Sequence, residues 1–99
     1  MALALLATPT FRRLVKKLHA PDKKLLDKAV LAIAANPDLG ELKKGDLGGV
    51  QVYKFKMHSQ EFLLAYRLQP TRAEPTALEL LSLGSHENFY ADLKRQPGI

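Results

Sequence analysis

The chain has no cysteine, which excludes a disulfide framework, a thiolate nucleophile and a cysteine metal site. Aromatic residues make up only 7% of it, too few for a platform that stacks single-stranded bases. No apolar run approaches the roughly 20 residues that span a bilayer. Met1–Ala7 is apolar, but Arg12 and Arg13 follow it rather than precede it, the wrong order for a secretory signal. Gly45–Gly49 lacks the Lys-Ser/Thr ending of a phosphate loop. Ser59, Ser82 and Ser85 have no nucleophile-elbow context. His19, His58 and His86 fall in three separate turns with no carboxylate at ligand spacing, so neither a metal nor a cofactor is expected. Internal repeats and low-complexity segments are also missing.

What remains is the composition of an ordinary globular protein. Hydrophobic residues are 46% and charged residues 25% of 99, so a single domain over residues 1–99 is expected. Fifteen basic against ten acidic residues leave a formal charge of +5, which suggests an anionic partner. With no secretory signal and no cysteine, the expected location is cytoplasmic.

Met1–Ala7 is expected to form a buried first strand. Thr8-Pro9 marks a helix start, with a hydroxyl at the N-cap and proline where its missing N–H costs nothing. Phe11, Leu14, Val15 and Leu18 follow at helical spacing, with Arg12, Arg13, Lys16 and Lys17 on the opposite face. A second helix restarts at Pro21-Asp22, carries Leu25, Leu26, Ala29, Val30 and Ile33, and stops at Asn36-Pro37. Together they make an αα-hairpin joined by a tight turn at His19-Ala20.

The period then changes from helix to strand. Leu39–Gly49 is glycine-rich loop with a short strand around Leu42. Val50–Met57 and Glu61–Leu68 alternate as strands around a tight turn. With His58 and Ser59 as a two-residue loop, Phe55 faces Phe62 and Tyr53 faces Leu64, so that one register gathers the hairpin's aromatics on one side. Lys54 then faces Leu63, and Lys56 faces Glu61, on the other side. A slip of one residue would bury the lysines, so the register is strongly specified. Ala77–Leu83 is apolar enough to be a central strand, and Gly84-Ser85 opens a short helix bearing His86, Phe89, Tyr90 and Leu93. The order β-α-α-β-β-β-α predicts an α+β fold: a small twisted antiparallel sheet of about four strands, backed by the αα-hairpin. Its core should comprise Phe11, Leu14, Leu18, Leu26, Val30, Ile33, Phe55, Phe62, Leu64 and Tyr66.

Two segments can carry chemistry. Tyr53-Lys54-Phe55-Lys56 puts two ammonium groups on one strand face about 7 Å apart, close to the spacing of successive phosphates. The same pattern also suits an open strand face kept soluble by lysine. In Gly84-Ser85-His86-Glu87-Asn88-Phe89-Tyr90, His86 and Tyr90 stand one helical turn apart beyond the central strand. An imidazole can carry a proton near neutral pH, and a tyrosine can stack on a base. Residues 86, 89, 90 and 93 are equally the stripe of a helix that simply packs.

The element order, the strand pair Gly49-Val50-Gln51-Val52-Tyr53-Lys54-Phe55-Lys56 … Phe62-Leu63-Leu64-Ala65-Tyr66, and the segment Leu81–Lys94 resemble the RelE/ParE superfamily of bacterial type II toxin–antitoxin toxins. The resemblance is specific over Leu42–Lys94. It implies a small basic toxin that enters the ribosomal A site and cuts mRNA there without a metal, the messenger's 2′-hydroxyl attacking the adjacent phosphate. Lys54 and Lys56 match the family's basic pair, Tyr90 falls near its C-terminal tyrosine, and His86 falls where members carry arginine or histidine. The resemblance thus implies His86, Lys54, Lys56 and Tyr90 as catalytic residues; Lys43, Lys44, Arg67, Arg12 and Lys16 are the further basic residues expected to bind RNA phosphates. One departure is Leu63, where the RelE branch has an arginine; Arg67 lies on the same strand face and could substitute if it reached back. The ParE branch, which shares the fold and inhibits DNA gyrase without ribonuclease activity, is the alternative, and a non-catalytic binding module is a third. Either toxin branch implies a small acidic antitoxin encoded alongside, with operator DNA contacted only through it, and no membrane partner.

Overall fold

The computed structural model describes residues 3–45, 48–85 and 89–95. Five strands form one sheet in the order β1-β5-β4-β3-β2: β1 (Ala4–Ala7), β2 (Glu41–Leu42), β3 (Gln51–Met57), β4 (Gln60–Gln69) and β5 (Ala77–Ser85). All neighbours are antiparallel except β1, which runs parallel to β5. Helices α1 (Pro9–Lys16) and α2 (Ala20–Ala35) form the expected hairpin, and α3 (Phe89–Lys94) is short. No helix among the described residues is long and apolar enough to cross a membrane.

The Thr8 side chain positions the first helix. Its hydroxyl accepts from the Phe11 N–H at 3.1 Å and donates to the Leu81 carbonyl at 3.0 Å, capping α1 and tying it to β5 in one group. Phe11, Leu26 and Ile33 then pack on Leu64, Tyr66, Leu68, Leu78 and Leu80. Every expected core residue lies in this cluster, with Leu14, Leu18, Val30, Phe55 and Phe62 partly rather than fully buried.

The β3–β4 register is the expected one, with Phe55 opposite Phe62, Tyr53 opposite Leu64, Lys54 opposite Leu63 and Lys56 opposite Glu61. His58 and Ser59, at φ 53° and 66°, make the two-residue turn. The alternation of β4 sends Leu64, Tyr66 and Leu68 to the hairpin layer. Leu63 and Ala65 go to the opposite face, where they pack with Val50, Val52, Leu81, Phe89 and Leu93 under α3. The sheet therefore lies between two apolar layers, and the second layer was not part of the expected core.

Two expectations need correction. The first strand is not buried. It is a sheet edge with Leu5 and Leu6 each 48% exposed, because β5 covers one side of it and nothing pairs with the other among the described residues. The fifth strand is the two-residue β2, the short strand expected around Leu42, which joins the expected four as an edge beside β3. Gly84 and Ser85 end β5 instead of opening a helix, and α3 is observed from Phe89.

The start of β2 is fixed by a buried polar group. The Tyr66 hydroxyl donates to the Pro37 carbonyl and accepts from the Gly40 N–H at 2.9 Å and from Gln51 Nε2 at 3.3 Å. Gln51 Nε2 also donates to the Pro37 carbonyl at 2.7 Å. This pins the chain leaving α2 against β3 and β4. Gly40 has ordinary extended backbone but no room, since a Cβ there would lie 2.5 Å from the Tyr66 oxygen. Burial pushes the Tyr66 hydroxyl above its ordinary pKa. The folded state thus holds that proton more tightly, and the contribution is intact at neutral pH and lost as pH rises past the folded value. Tyr66→Phe should destabilise the fold by about 1–3 kcal/mol, because it strands the buried Gly40 N–H, whereas Gln51 keeps the Pro37 and Gly40 carbonyls as acceptors. Gly40→Ala should cost a similar ~1–3 kcal/mol by overpacking. Urea melts check both, and wild-type midpoints in the two variants would show that this anchor does not hold the loop.

Candidate phosphate-binding face

The face of the sheet beneath α3 carries the chemistry-bearing side chains. Strand alternation puts Glu41 of β2, Val52, Lys54 and Lys56 of β3, and Leu63 and Ala65 of β4 on this side. Val52, Leu63 and Ala65 are buried, whereas Lys54 and Lys56 are exposed. Lys43 follows β2, its N–H donating to the Val50 carbonyl at 2.8 Å. Its ammonium lies 5.4 Å from the centre of the Tyr90 ring and 2.9 Å from Glu41 Oε1. Tyr90 packs on the apolar cluster under α3 and meets the Phe89 ring edge-on at 5.1 Å.

Glu41, Lys43, Lys54 and Tyr90 are electrically connected. The hydrogen bond and charge of Lys43 hold the Glu41 carboxyl below the usual glutamate value, with a smaller contribution from Lys54. Lys43 is raised above the usual lysine value, first by its bond to Glu41 and then, against the opposing effect of burial, by Tyr90. Both groups are thus charged at neutral pH. Glu41 keeps one cation oriented over the aromatic ring, while Lys54 and Lys56 stand open beside it. Such an arrangement can bind two or more phosphates and hold a planar group nearby.

The other expected residues separate. Arg12 and Lys16 are exposed on α1, which covers the opposite face of the sheet. Lys44 is exposed in the loop after β2. Arg67 shares the α3 face but reaches across to β5, away from β3. Its Nε and Nη2 donate to Glu79 Oε1 at 3.0 and 2.8 Å, and Gln69 Nε2 donates to the same oxygen at 3.2 Å. Leu63 is wholly buried. His86 lies outside the described residues. Sequence reasoning missed Glu41 and Glu79, the carboxylates that orient Lys43 and Arg67. The only trace of either is its polar place in strand alternation.

A cavity of about 360 Å³ opens between α1, the end of β5 and Phe89, lined by Thr10, Leu14, Ser82, Leu83 and Ser85 among others. It has no titratable side chain among its described lining residues and does not include the lysines. Among the described residues no three histidine, cysteine or carboxylate side chains cluster as metal ligands.

A sequence profile describing the ParE-like toxins of type II bacterial toxin–antitoxin systems matches residues 5–94. No curated protein sequence matches significantly. Among solved structures, the chain is similar to the toxin–antitoxin complex RelBE2 from Mycobacterium tuberculosis, with a TM-score of 0.70 and 18% identity, covering 86% of this chain and 99% of that one. It is similar to a doubly substituted E. coli RelE toxin in the free state, with a TM-score of 0.67 and 20% identity over 94% of this chain and 90% of that one. The intact E. coli RelBE toxin–antitoxin complex gives 0.66 and 21% over 87% of this chain and 99% of that one. At such identities the likeness is one of fold.

The Glu41–Lys43 pair makes a direct prediction. In Lys43→Ala the Glu41 carboxyl should titrate at a higher pH than in the wild type, followed by carbon-13 NMR. A depressed carboxyl contributes above its ordinary pKa and loses that contribution as pH falls. The orientation of Lys43 over Tyr90 should therefore weaken through the acid titration of Glu41. An unchanged titration in Lys43→Ala would remove Lys43 as the cause.

Proposed function

The chain belongs to the ParE-like toxins of type II bacterial toxin–antitoxin systems, and on that premise we propose that it is a ribosome-dependent mRNA endoribonuclease of the RelE kind, neutralised by a cognate antitoxin. The observation that supports this reading is the common face of Lys43, Lys54, Lys56 and Tyr90. In the proposed reaction the 2′-oxygen of one nucleotide attacks its own 3′-phosphate and loses its proton to a base. The bond to the 5′-oxygen of the next nucleotide breaks, and that oxygen takes up a proton. The products are a 2′,3′-cyclic phosphate and a free 5′-hydroxyl.

Within this scheme Lys54 and Lys56 bind the phosphate and offset the negative charge of the phosphorane, which is where fixed cations act most strongly. Tyr90 orients the nucleotide, with Lys43 held over its ring by Glu41. His86 is proposed as the proton carrier on its chemistry and its position before α3. Arg67, Lys44, Arg12 and Lys16 are proposed only as outlying contacts to the RNA or ribosome. A cytoplasmic site of action follows from the mRNA target.

One observation favours a second reading. The cation that the RelE branch carries is replaced by buried Leu63, and the nearby Arg67 is engaged by Glu79. Inhibition of DNA gyrase, the ParE-branch activity, needs no such cation.

Primer extension on translated mRNA separates the two. Wild type should produce cuts within codons. Lys54→Ala and His86→Ala, still folded, should each lower cutting by roughly two to three orders of magnitude, the usual loss for one preorganised donor or acid–base group. Uncut mRNA together with accumulated DNA cleavage complexes would replace the nuclease reading with the gyrase one.

A further inference from the structure

The central strand β5 is longer than the strand beside it. β1 pairs with residues 77–80 only, and the Thr8 hydroxyl then takes the Leu81 carbonyl before α1 turns away. From 82 to 85 no strand lies on this side of β5 among the described residues. Alternate residues of a strand turn their N–H and C=O to opposite edges, so part of this main chain faces the opening without a strand partner. The opening is the cavity of about 360 Å³ between α1, β5 and Phe89. Leu14, Leu83 and Phe89 wall it with apolar surface, and Thr10, Ser82 and Ser85 add hydroxyls. Ser82 is only 3% exposed, yet its hydroxyl makes no hydrogen bond among the described residues. A buried hydroxyl in that state is stabilised by any ligand that offers it a partner. The described lining carries no charge, which suits a neutral polar group rather than a phosphate.

The sheet register links this cavity to the lysine face. Lys54 pairs with Leu63, and Leu63 pairs with Gly84, which lines the cavity. Two strand spacings, about 10 Å, therefore separate the Lys54 backbone from the cavity wall. The Phe89 ring forms part of that wall and meets the Tyr90 ring at 5.1 Å, so two touching aromatic rings bridge the remaining gap. We propose that the cavity is a nucleobase subsite, taking one unstacked base of the RNA strand whose phosphates lie on Lys54 and Lys56. The base lies against Phe89 and Leu14, and its hydrogen-bonding edge meets the hydroxyls and the open main chain of β5. Those groups tell donors from acceptors, so the cavity sets a preference among bases. The proposal rests on the nuclease reading and adds to it a source of sequence preference.

The test titrates the four ribonucleoside 5′-monophosphates, and separately inorganic phosphate, into the nitrogen-15-labelled full chain. Amide shifts should appear at Thr10, Leu83, Ser85 and Phe89 with nucleotides and not with phosphate alone. One base should bind at least about fivefold more tightly than the weakest, because a hydrogen-bonding site rejects a mismatched edge. Thr10→Phe fills the cavity from an α1 position outside the apolar core, and it should weaken base binding at least about tenfold. Gly84→Ala is the second variant. Its added methyl meets only Phe89, at 3.7 Å, so it narrows the cavity without a clash and should weaken base binding to a smaller extent. Nucleotide shifts confined to the lysine face, cavity shifts caused equally by phosphate, equal affinity for all four bases, or base binding unchanged in both variants would each overturn the proposal. Cleavage of translated mRNA by the wild type is scored separately. Base-selective binding in the cavity without cleavage would sink the nuclease reading alone, and cleavage without cavity binding would sink the subsite alone.

Discussion

His58 and Ser59 turn β3 into β4 with both residues in left-handed backbone, a conformation that costs an L-residue on the order of 1 kcal/mol each. The turn leaves no spare residue, so every pair from Met57–Gln60 to Gln51–Tyr66 is determined by it. The His58 imidazole bonds to Asp22 in the first turn of α2, which ties the strained turn to the helix layer. From that register follow the two faces of the sheet. Tyr53, Phe55 and Phe62 go under the helical hairpin, and Lys54 and Lys56 go to the side covered in part by α3. A slip of one residue would exchange them and leave neither a core nor a cationic face.

The cationic face is organised by carboxylates as much as by cations. Glu41 holds Lys43 over Tyr90, and Glu79 gathers Arg67 and Gln69 onto one oxygen. Lys54 and Lys56 have no such fixed acidic partner among the described ion pairs. The protein thus separates cations held by its own carboxylates from cations left exposed on the sheet face. A net charge of +5 does not by itself convey that distinction, because the division depends on which strand neighbours which.

Much of this architecture is legible in the sequence. The helical hairpin followed from Thr8-Pro9, two apolar stripes and Asn36-Pro37. The strand pairing followed from a tight turn between two alternating runs. The status of β1 was not legible, because a short apolar run looks the same whether a sheet covers it or ends on it. The second apolar layer escaped notice because Val52, Leu63 and Ala65 matter only once α3 is known to fold over them. Glu41 and Glu79 were invisible as partners because their roles come from tertiary neighbours, not local spacing. His86, the proton carrier the sequence suggests, lies outside the described residues, so its proposed role rests on chemistry and chain position.

The central claim is that the Lys54–Lys56 face acts on RNA through the substrate's own 2′-hydroxyl. The most direct measurement uses a ribosome programmed with an mRNA carrying one 2′-deoxynucleotide on the 5′ side of the cut site. The account predicts loss of cutting at that bond and, on the all-ribose message, a 2′,3′-cyclic phosphate terminus. Cutting at the deoxy position at the ordinary rate would contradict it.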